Sequence, residues 1–309
     1  MKVIRSATDL KPDGRRVCAA IGVFDGVHLG HQQVIRRALA DAQQHEAMAV
    51  VVTFDQHPSA VVAPARVPPL IQSLPQKLRT LAALGVDATW LVHFDEDFSR
   101  QTGEVFVRAL VRDFGQLHSV CVGSDFSFGH KRSGNVPLLQ RLGQELHFAV
   151  HGLSAVSLDG EVVSSTRIRE AIRAGRFEAA GEMLGRGYSL AGAVIKGDQV
   201  GRKLGFPTAN LDALGLVLPP NGVYAVHVLV NEKWLRAVLN IGTRPTVASA
   251  APSLRVEAHL LDFEEEIYGQ ELEISFVEKL RDEQKFSSLD ALKAQIAADI
   301  KLATEIFSK

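Results

Sequence analysis

Five apolar runs of strand length, at residues 17–24, 47–54, 88–94, 119–123 and 148–153, alternate with helix-length stretches at 32–43, 75–84, 103–114 and 136–146. Strands alternating with helices of this size build βαβ units, and those units give a parallel sheet with helices flanking it. The run AMAVVVTF is apolar at nearly every position, which suits a strand buried on both faces. After residue 185 the pattern changes. The stretches YSLAGAVIKG, GVYAVHVLVN, KWLRAVLNIG, LRVEAHLLDF and ELEISFVEKL alternate or are β-branched, with Asn or Gly between them. Hairpins of this kind predict a small antiparallel barrel. Residues 288–307 return to a helical period through Leu289, Leu292, Ile296, Ile300 and Leu302. Two domains are therefore expected, 1–185 and 186–309, in line with a length of 309 residues.

Charge and composition remove several classes of function. Formal net charge is −1, from 34 basic and 35 acidic residues, so bulk charge does not recruit nucleic acid or a membrane surface. No apolar run approaches the ~20 residues of a membrane span, and the first residues lack the apolar core of a secretory signal. Cys18 and Cys121 sit in apolar strand-like contexts and read as buried free thiols rather than as a disulfide or metal pair. A reducing cytoplasm is the expected compartment. Residues 58–75 hold five prolines and read as a loop or lid.

The stretch GVFDGVHLGHQ, residues 22–32, lies where a strand gives way to a helix. Strand ends and helix N-termini favour phosphate, glycines allow close backbone approach, and His28 and His31 share one side of the helix start. A plain turn with two surface histidines and a metal site are the competing readings. The metal reading is the weaker, because no further ligands with zinc spacing accompany the pair. A second helix start, at Ser164, Ser165 and Thr166 before Arg167 and Arg169, has the hydroxyls, amides and cation of another phosphate site, or of an ordinary helix cap.

In the second half, GDQVGRKLGFPTANL carries glycines at 197, 201 and 205, then Thr208 and Asn210 two apart. The glycines permit a loop that wraps phosphates through its backbone. The hydroxyl and amide oxygens suit magnesium carried by a nucleotide. A glycine-rich hairpin is the alternative. Glu257 alternates with Arg255 and His259 on one face of a strand.

Taken together, GVFDGVHLGHQ, TFDQHPS, GSDFSFGHKRSG, SSTRIR and GDQVGRKLGFPTANL resemble the bacterial bifunctional riboflavin kinase/FMN adenylyltransferases. NGVYAV, NIGTRPT, VEAHLLDF, YGQEL and KLRDEQKF follow in the same order. Gln56 stands where the family's TFxPHP has proline, and Ser127 where arginine is common. The resemblance implies a Rossmann-like nucleotidyltransferase domain, then a six-stranded Greek-key barrel with a terminal helix. In the first domain it implies that His28, His31 and Arg169 serve adenylyl transfer. Gly22, Phe24, Asp25, Gly26, Ser165 and Thr166 would surround ATP, with His57, Asp125, Phe126 and Phe128 on the flavin side. In the second it implies Glu257 as general base. Gly197, Gly201, Lys203, Gly205, Phe206, Pro207, Thr208 and Asn210 would surround Mg-ATP, with Thr208 and Asn210 on the metal and Tyr224, Arg281 and Phe286 beside the flavin. Riboflavin, FMN and ATP are then substrates, Mg2+ accompanies ATP, FMN and FAD are reactants rather than prosthetic groups, and no obligate protein partner is expected. A kinase with a degenerate first half and a flavin-binding sensor are the alternative functions.

Overall fold

A computed structural model describes residues 1–10, 14–197, 200–244 and 253–308; for Val200, Lys203, Arg244 and Ser253 only the backbone is described. Asp198 and Gln199 of the glycine-rich motif, and Pro245 and Thr246 of NIGTRPT, lie outside the described residues. The chain folds as two compact units. One holds Met1–Ile168 with Met183–Gly185, the other Arg169–Glu182 with Arg186–Lys309.

The first unit is built on a six-stranded sheet of β1 (Lys2–Ile4), β2 (Val17–Ile21), β3 (Met48–Phe54), β4 (Ala88–Val92), β5 (Leu117–Gly123) and β8 (Ala149–Leu153). Their order is β1-β4-β3-β2-β5-β8, and every pairing is parallel. Strand order reverses between β2 and β5, so a topological switch point opens at their carboxyl ends. Helices α1 (Leu29–Gln44), α3 (Leu74–Ala83), α5 (Gly103–Phe114) and α6 (Val136–Leu146) are the crossovers, with short helices α2 (Ser59–Val62) and α4 (Glu96–Ser99) in the connections. Apolar residues of strands and helices form the core around Val50, Val52, Leu110 and Leu142. Cys18 and Cys121 are fully buried free thiols in β2 and β5.

Two small antiparallel hairpins stand apart from the sheet, β6 (Ser127–Phe128) with β7 (Gly134–Asn135) and β9 (Ser157–Leu158) with β10 (Glu161–Val162). The first docks through missing side chains: a Cβ on Gly129 or Gly134 would overlap Gly103 and the Phe128 ring respectively. The proline-rich stretch is not an open loop. It carries α2 and a 3-10 turn at Pro64–Arg66, and its Ile71 is buried against Gly26. Helix α7 (Ser165–Arg173) then leads to α8 (Phe177–Leu184).

The second unit is a closed antiparallel barrel in the order β11-β12-β15-β14-β13-β16. Its strands are β11 (Ser189–Ile195), β12 (Ala209–Leu211), β13 (Gly222–Val230), β14 (Lys233–Arg244), β15 (Ser253–Leu260) and β16 (Glu271–Arg281). Short β12 comes from the PTANL segment; its three residues are too few for a period-2 signal. Alternation sends Tyr224, Val226, Leu239, Val256 and Ala258 into the barrel. The opposite face of β13 and β14, at Val223, Ala225 and Val238, is covered by α10 (Leu289–Ile306) through Ala303, Ile300 and Ile306. The glycine-rich segment is a short helix, α9 (Val200–Leu204), rather than an open loop. Gly205, at φ +91°, ends it in the left-handed region that glycine adopts without a Cβ penalty.

Candidate active sites

In the first unit the motif after β2 is a tightly tied corner. Thr53 Oγ1 donates to the Val23 carbonyl at 2.9 Å, Ser165 Oγ to the Asp25 carbonyl at 3.0 Å and Gln32 Nε2 to the Val27 carbonyl at 2.9 Å. Asp25 is buried and accepts the Ile71 N–H at 2.9 Å. Phe24 and Val27 hold positive φ, 53° and 41°. Strain at non-glycine residues persists where the surroundings over-determine the backbone, as these anchors do. The Ser165–Asp25 hydrogen bond thus joins GVFDG to SSTRIR, 140 residues apart.

His28 is the N-cap of α1, and its Nδ1 accepts the His31 N–H at 3.4 Å. The two imidazoles stack at 3.6 Å with 21° between their planes, and the buried Phe24 ring meets His31 edge-on. His28 is only 7% exposed. The His31 Nδ1 is buried with no hydrogen-bond partner. Desolvation, then the charges of His28 and Lys77, hold the His31 imidazole well below its ordinary range, so it is neutral at pH 7. An unpartnered polar atom costs free energy that a bound donor or acceptor would remove.

The flavin-side expectations fall at neighbouring strand ends. Asp125 is exposed just after β5, and Phe126 and Phe128 are half-buried and stacked at 5.2 Å. They continue an aromatic chain through Phe106, Phe98 and Phe54. His57 accepts the Ser59 N–H at 3.1 Å and lines a small cavity with Asp25, Asp55 and Lys77. Gln56 donates to the Phe94 carbonyl at 2.7 Å, a contact proline could not make, while Ser127 is exposed. Ser165 is half-buried and Thr166 exposed. Arg167 turns to the β9–β10 hairpin, where it donates to the Glu161 and Val162 carbonyls. Arg169, four residues after Ser165 on α7, is 8% exposed.

In the barrel unit, strand register assembles the site. Asn210 pairs with Glu257, Glu257 with Asn240, Asn240 with Val223 and Val223 with Arg281. These five residues form one row across five strands, on the outer face of the barrel. All five line a cavity of about 490 Å³, closed by Leu289, Leu292 and Ile296 of α10 and joined by Gly201, Phe206, Thr208 and Phe286. Directly opposed residues approach within about 5 Å, so Glu257 faces amides from both neighbouring strands. The strand face that alternation marked as polar is thus a cavity wall, with Arg255 Nη1 at 3.5 Å from the Glu257 carboxylate.

Thr208 also lines a second cavity of about 400 Å³, with Arg202, Pro207, Phe263 and Tyr268. Gly197 and Gly201 are required by packing: a Cβ on the first would overlap the Asn210 amide, and on the second the Phe206 carbonyl. Arg281 forms a bidentate pair with Asp299, from Nε to Oδ1 at 2.9 Å and from Nη2 to Oδ2 at 2.8 Å, and stacks 5.7 Å from the Phe286 ring. Tyr224 lies in the barrel core, apart from the lining of the larger cavity. It is 1% exposed, its hydroxyl donates to the Pro220 carbonyl, and its ring packs on Phe276 inside the barrel. Its neighbour Val223 faces the cavity, and adjacent strand residues point to opposite faces.

Sequence reasoning did not single out Lys77, Gln32, Asn240 or Asp299. Lys77 and Asp299 lie on amphipathic helices with nothing local to separate them from solvated charges, and Asn240 gains meaning only from its register with Glu257.

Both sites gather hydrogen-bond donors and oxygen ligands around open space, one at a helix start and one on a barrel wall. That is the chemistry of ATP-using transferases, which orient phosphates and stabilise their charge during transfer. Residues 10–167 match the FAD synthetase family model and residues 184–307 the riboflavin kinase model. The chain is 38% identical to the bifunctional riboflavin kinase/FMN adenylyltransferase of Escherichia coli strain K12, over 99% of this chain and 98% of that one. It is 38% identical to the same-named protein of Pseudomonas fluorescens, over 98% and 97% of the two chains. A solved structure from Streptococcus pneumoniae, described as a macrolide-efflux protein, is 29% identical with a TM-score of 0.80 and covers 98% of each chain. The chain belongs to the family of bifunctional riboflavin kinase/FMN adenylyltransferases. It is a transferase that makes FMN from riboflavin and FAD from FMN, using ATP in both reactions. No described helix is long and apolar enough to cross a membrane.

Proposed function

We propose that adenylyl transfer takes place at the corner of the first unit and phosphoryl transfer in the barrel cavity of the second, with the catalytic modules dividing at residues 185 and 186. The observation that carries the kinase assignment is the row Asn210–Glu257–Asn240 beside Thr208, which borders both cavities. Riboflavin occupies the larger one, against Phe286 and Arg281, and the nucleotide the smaller one, against Arg202 and Pro207, with Phe206 on the wall of the larger one beside Thr208. The 5′-hydroxyl of riboflavin meets the Glu257 carboxylate, which takes its proton as the oxygen bonds to the γ-phosphorus and ADP leaves. Gly197, Gly201, Lys203 and Gly205 surround the phosphates. Thr208 and Asn210 offer half-buried hydroxyl and amide oxygens of the kind a hard divalent cation takes, and they fit Mg2+ bound with ATP. When bound, Mg2+ offsets phosphate charge; these two side chains orient it.

At the corner, His28 and His31 contact the ATP phosphates while Gly22, Phe24, Asp25 and Gly26 shape the pocket. Ser165, Thr166 and Arg169 hold the β- and γ-phosphates. His57, Asp125, Phe126 and Phe128 face the flavin. An FMN phosphate oxygen bonds to the α-phosphorus of ATP, the bond to the bridging oxygen breaks, and pyrophosphate leaves. Imidazole and backbone donors stabilise that charge. Both reactions need only small-molecule substrates and belong in the cytoplasm.

One assay with riboflavin, ATP and Mg2+, its flavins resolved by chromatography, tests both assignments. The His28→Ala/His31→Ala variant accumulates FMN without FAD. Glu257→Gln loses riboflavin phosphorylation by about 10²–10⁴-fold and still converts supplied FMN to FAD. FAD from the double variant, or undiminished FMN from Glu257→Gln, refutes the corresponding assignment.

A further inference from the structure

The Lys77 ammonium has no part in the roles assigned so far, yet it sits inside the first site. From α3 it donates to the Phe54 carbonyl at 3.0 Å and, more loosely, to Thr53 Oγ1 at 3.3 Å and the Val23 carbonyl at 3.4 Å. Those acceptors lie at the end of β3 and in the loop that leads to His28 and His31. Lys77 also lines the small cavity with Asp25, Asp55 and His57. We propose that Lys77 is a positioning residue for adenylyl transfer, tying the GVFDG loop to the end of β3 and so fixing the two histidines against the phosphates.

A half-buried cation spent on two carbonyls and a hydroxyl is costly to keep unless its geometry is used. Burial pushes its ammonium down to about 8, against the opposing pull of Asp25 and Asp55. Its charge in turn adds to that of His28 in keeping His31 neutral. Above pH 8 the ammonium loses its charge and one of its donors, and the tie loosens.

The inference rests on the histidine assignment above, and its test separates the two. FAD formation from FMN is measured against pH for the wild type, Lys77→Met and Lys77→Arg, with circular dichroism and the melting curve of each variant as the control on folding and riboflavin phosphorylation as the control on the other site. Lys77→Met is expected to lower FAD formation by about 10²-fold, the size of effect a small misplacement of reacting groups produces, and to leave phosphorylation unchanged. The wild type is expected to lose rate on an alkaline limb near pH 8. Lys77→Arg, charged throughout, recovers part of the rate lost in Lys77→Met and lacks that limb. Should Lys77→Met fail to fold, the comparison of wild type with Lys77→Arg decides alone. A limb that persists in Lys77→Arg overturns the proposal. If His31→Ala loses FAD formation while Lys77→Met keeps it, this proposal fails and the histidine assignment stands.

Discussion

His31 links protonation to stability. Its folded imidazole titrates well below 6.5, so between that lower value and 6.5 the unfolded chain binds a proton that the folded chain refuses. Stability therefore rises with pH across this window, and the His31 contribution present above pH 6.5 drains away as pH falls toward the folded value. Urea melts between pH 7 and pH 5 should show this loss, and His31→Gln should flatten the slope. A second residue-scale test concerns Gly197, where a methyl group would overlap the Asn210 amide. Gly197→Ala is expected to weaken ATP use in riboflavin phosphorylation, with an overpacking cost of about 1–3 kcal/mol, and to leave adenylylation of supplied FMN intact. Cys121, fully buried with its thiol pushed up to about 12, and Cys18 beside it should stay unreactive to thiol reagents until the protein unfolds.

Helix α10 shows how an element acquires function. Its helical period was legible, since apolar residues recur through Leu289, Leu292, Ile296 and Ile300. Its role was not, because that depends on what the apolar stripe covers. The stripe lies over the outer face of β13 and β14 and closes the cavity that holds Glu257. The Arg281–Asp299 pair fastens it, with the Asp299 side chain 5% exposed. Removing one partner of such a pair leaves an uncompensated charge, so Asp299→Ala is expected to cost about 3 kcal/mol. Riboflavin KM should rise with it; an unchanged KM and an unchanged melting curve would show that the pair fastens nothing. Strand β12 makes the complementary point. Its three residues carried no periodic signal, and only pairing with β15 sets Asn210 beside Glu257.

At the scale of the whole chain there are two units with separate cores, one around Val50 and Leu110 and the other around Leu239 and Val256. Two-state unfolding is not expected of such a chain. Calorimetry should resolve more than one transition, with Asp299→Ala moving one and Leu110→Ala, a core truncation costing about 2–5 kcal/mol, moving the other. The parallel sheet, the barrel and the longer helices could be read from the chain alone, because burial imposes a period of 3.6 or 2 on local composition; the short helices α2, α4 and α9 could not. So could the residue types at His28, His31, Thr208, Asn210 and Glu257, since their motifs are contiguous. Tertiary structure decided the rest: that Ser165 reaches the Asp25 carbonyl, that Tyr224 turns inward while Val223 turns out, that Lys77 ties Phe54 to Val23, and that Asn240 stands opposite Glu257. Those facts depend on register and on contacts between residues tens to hundreds of positions apart, and local periodicity carries no information about either.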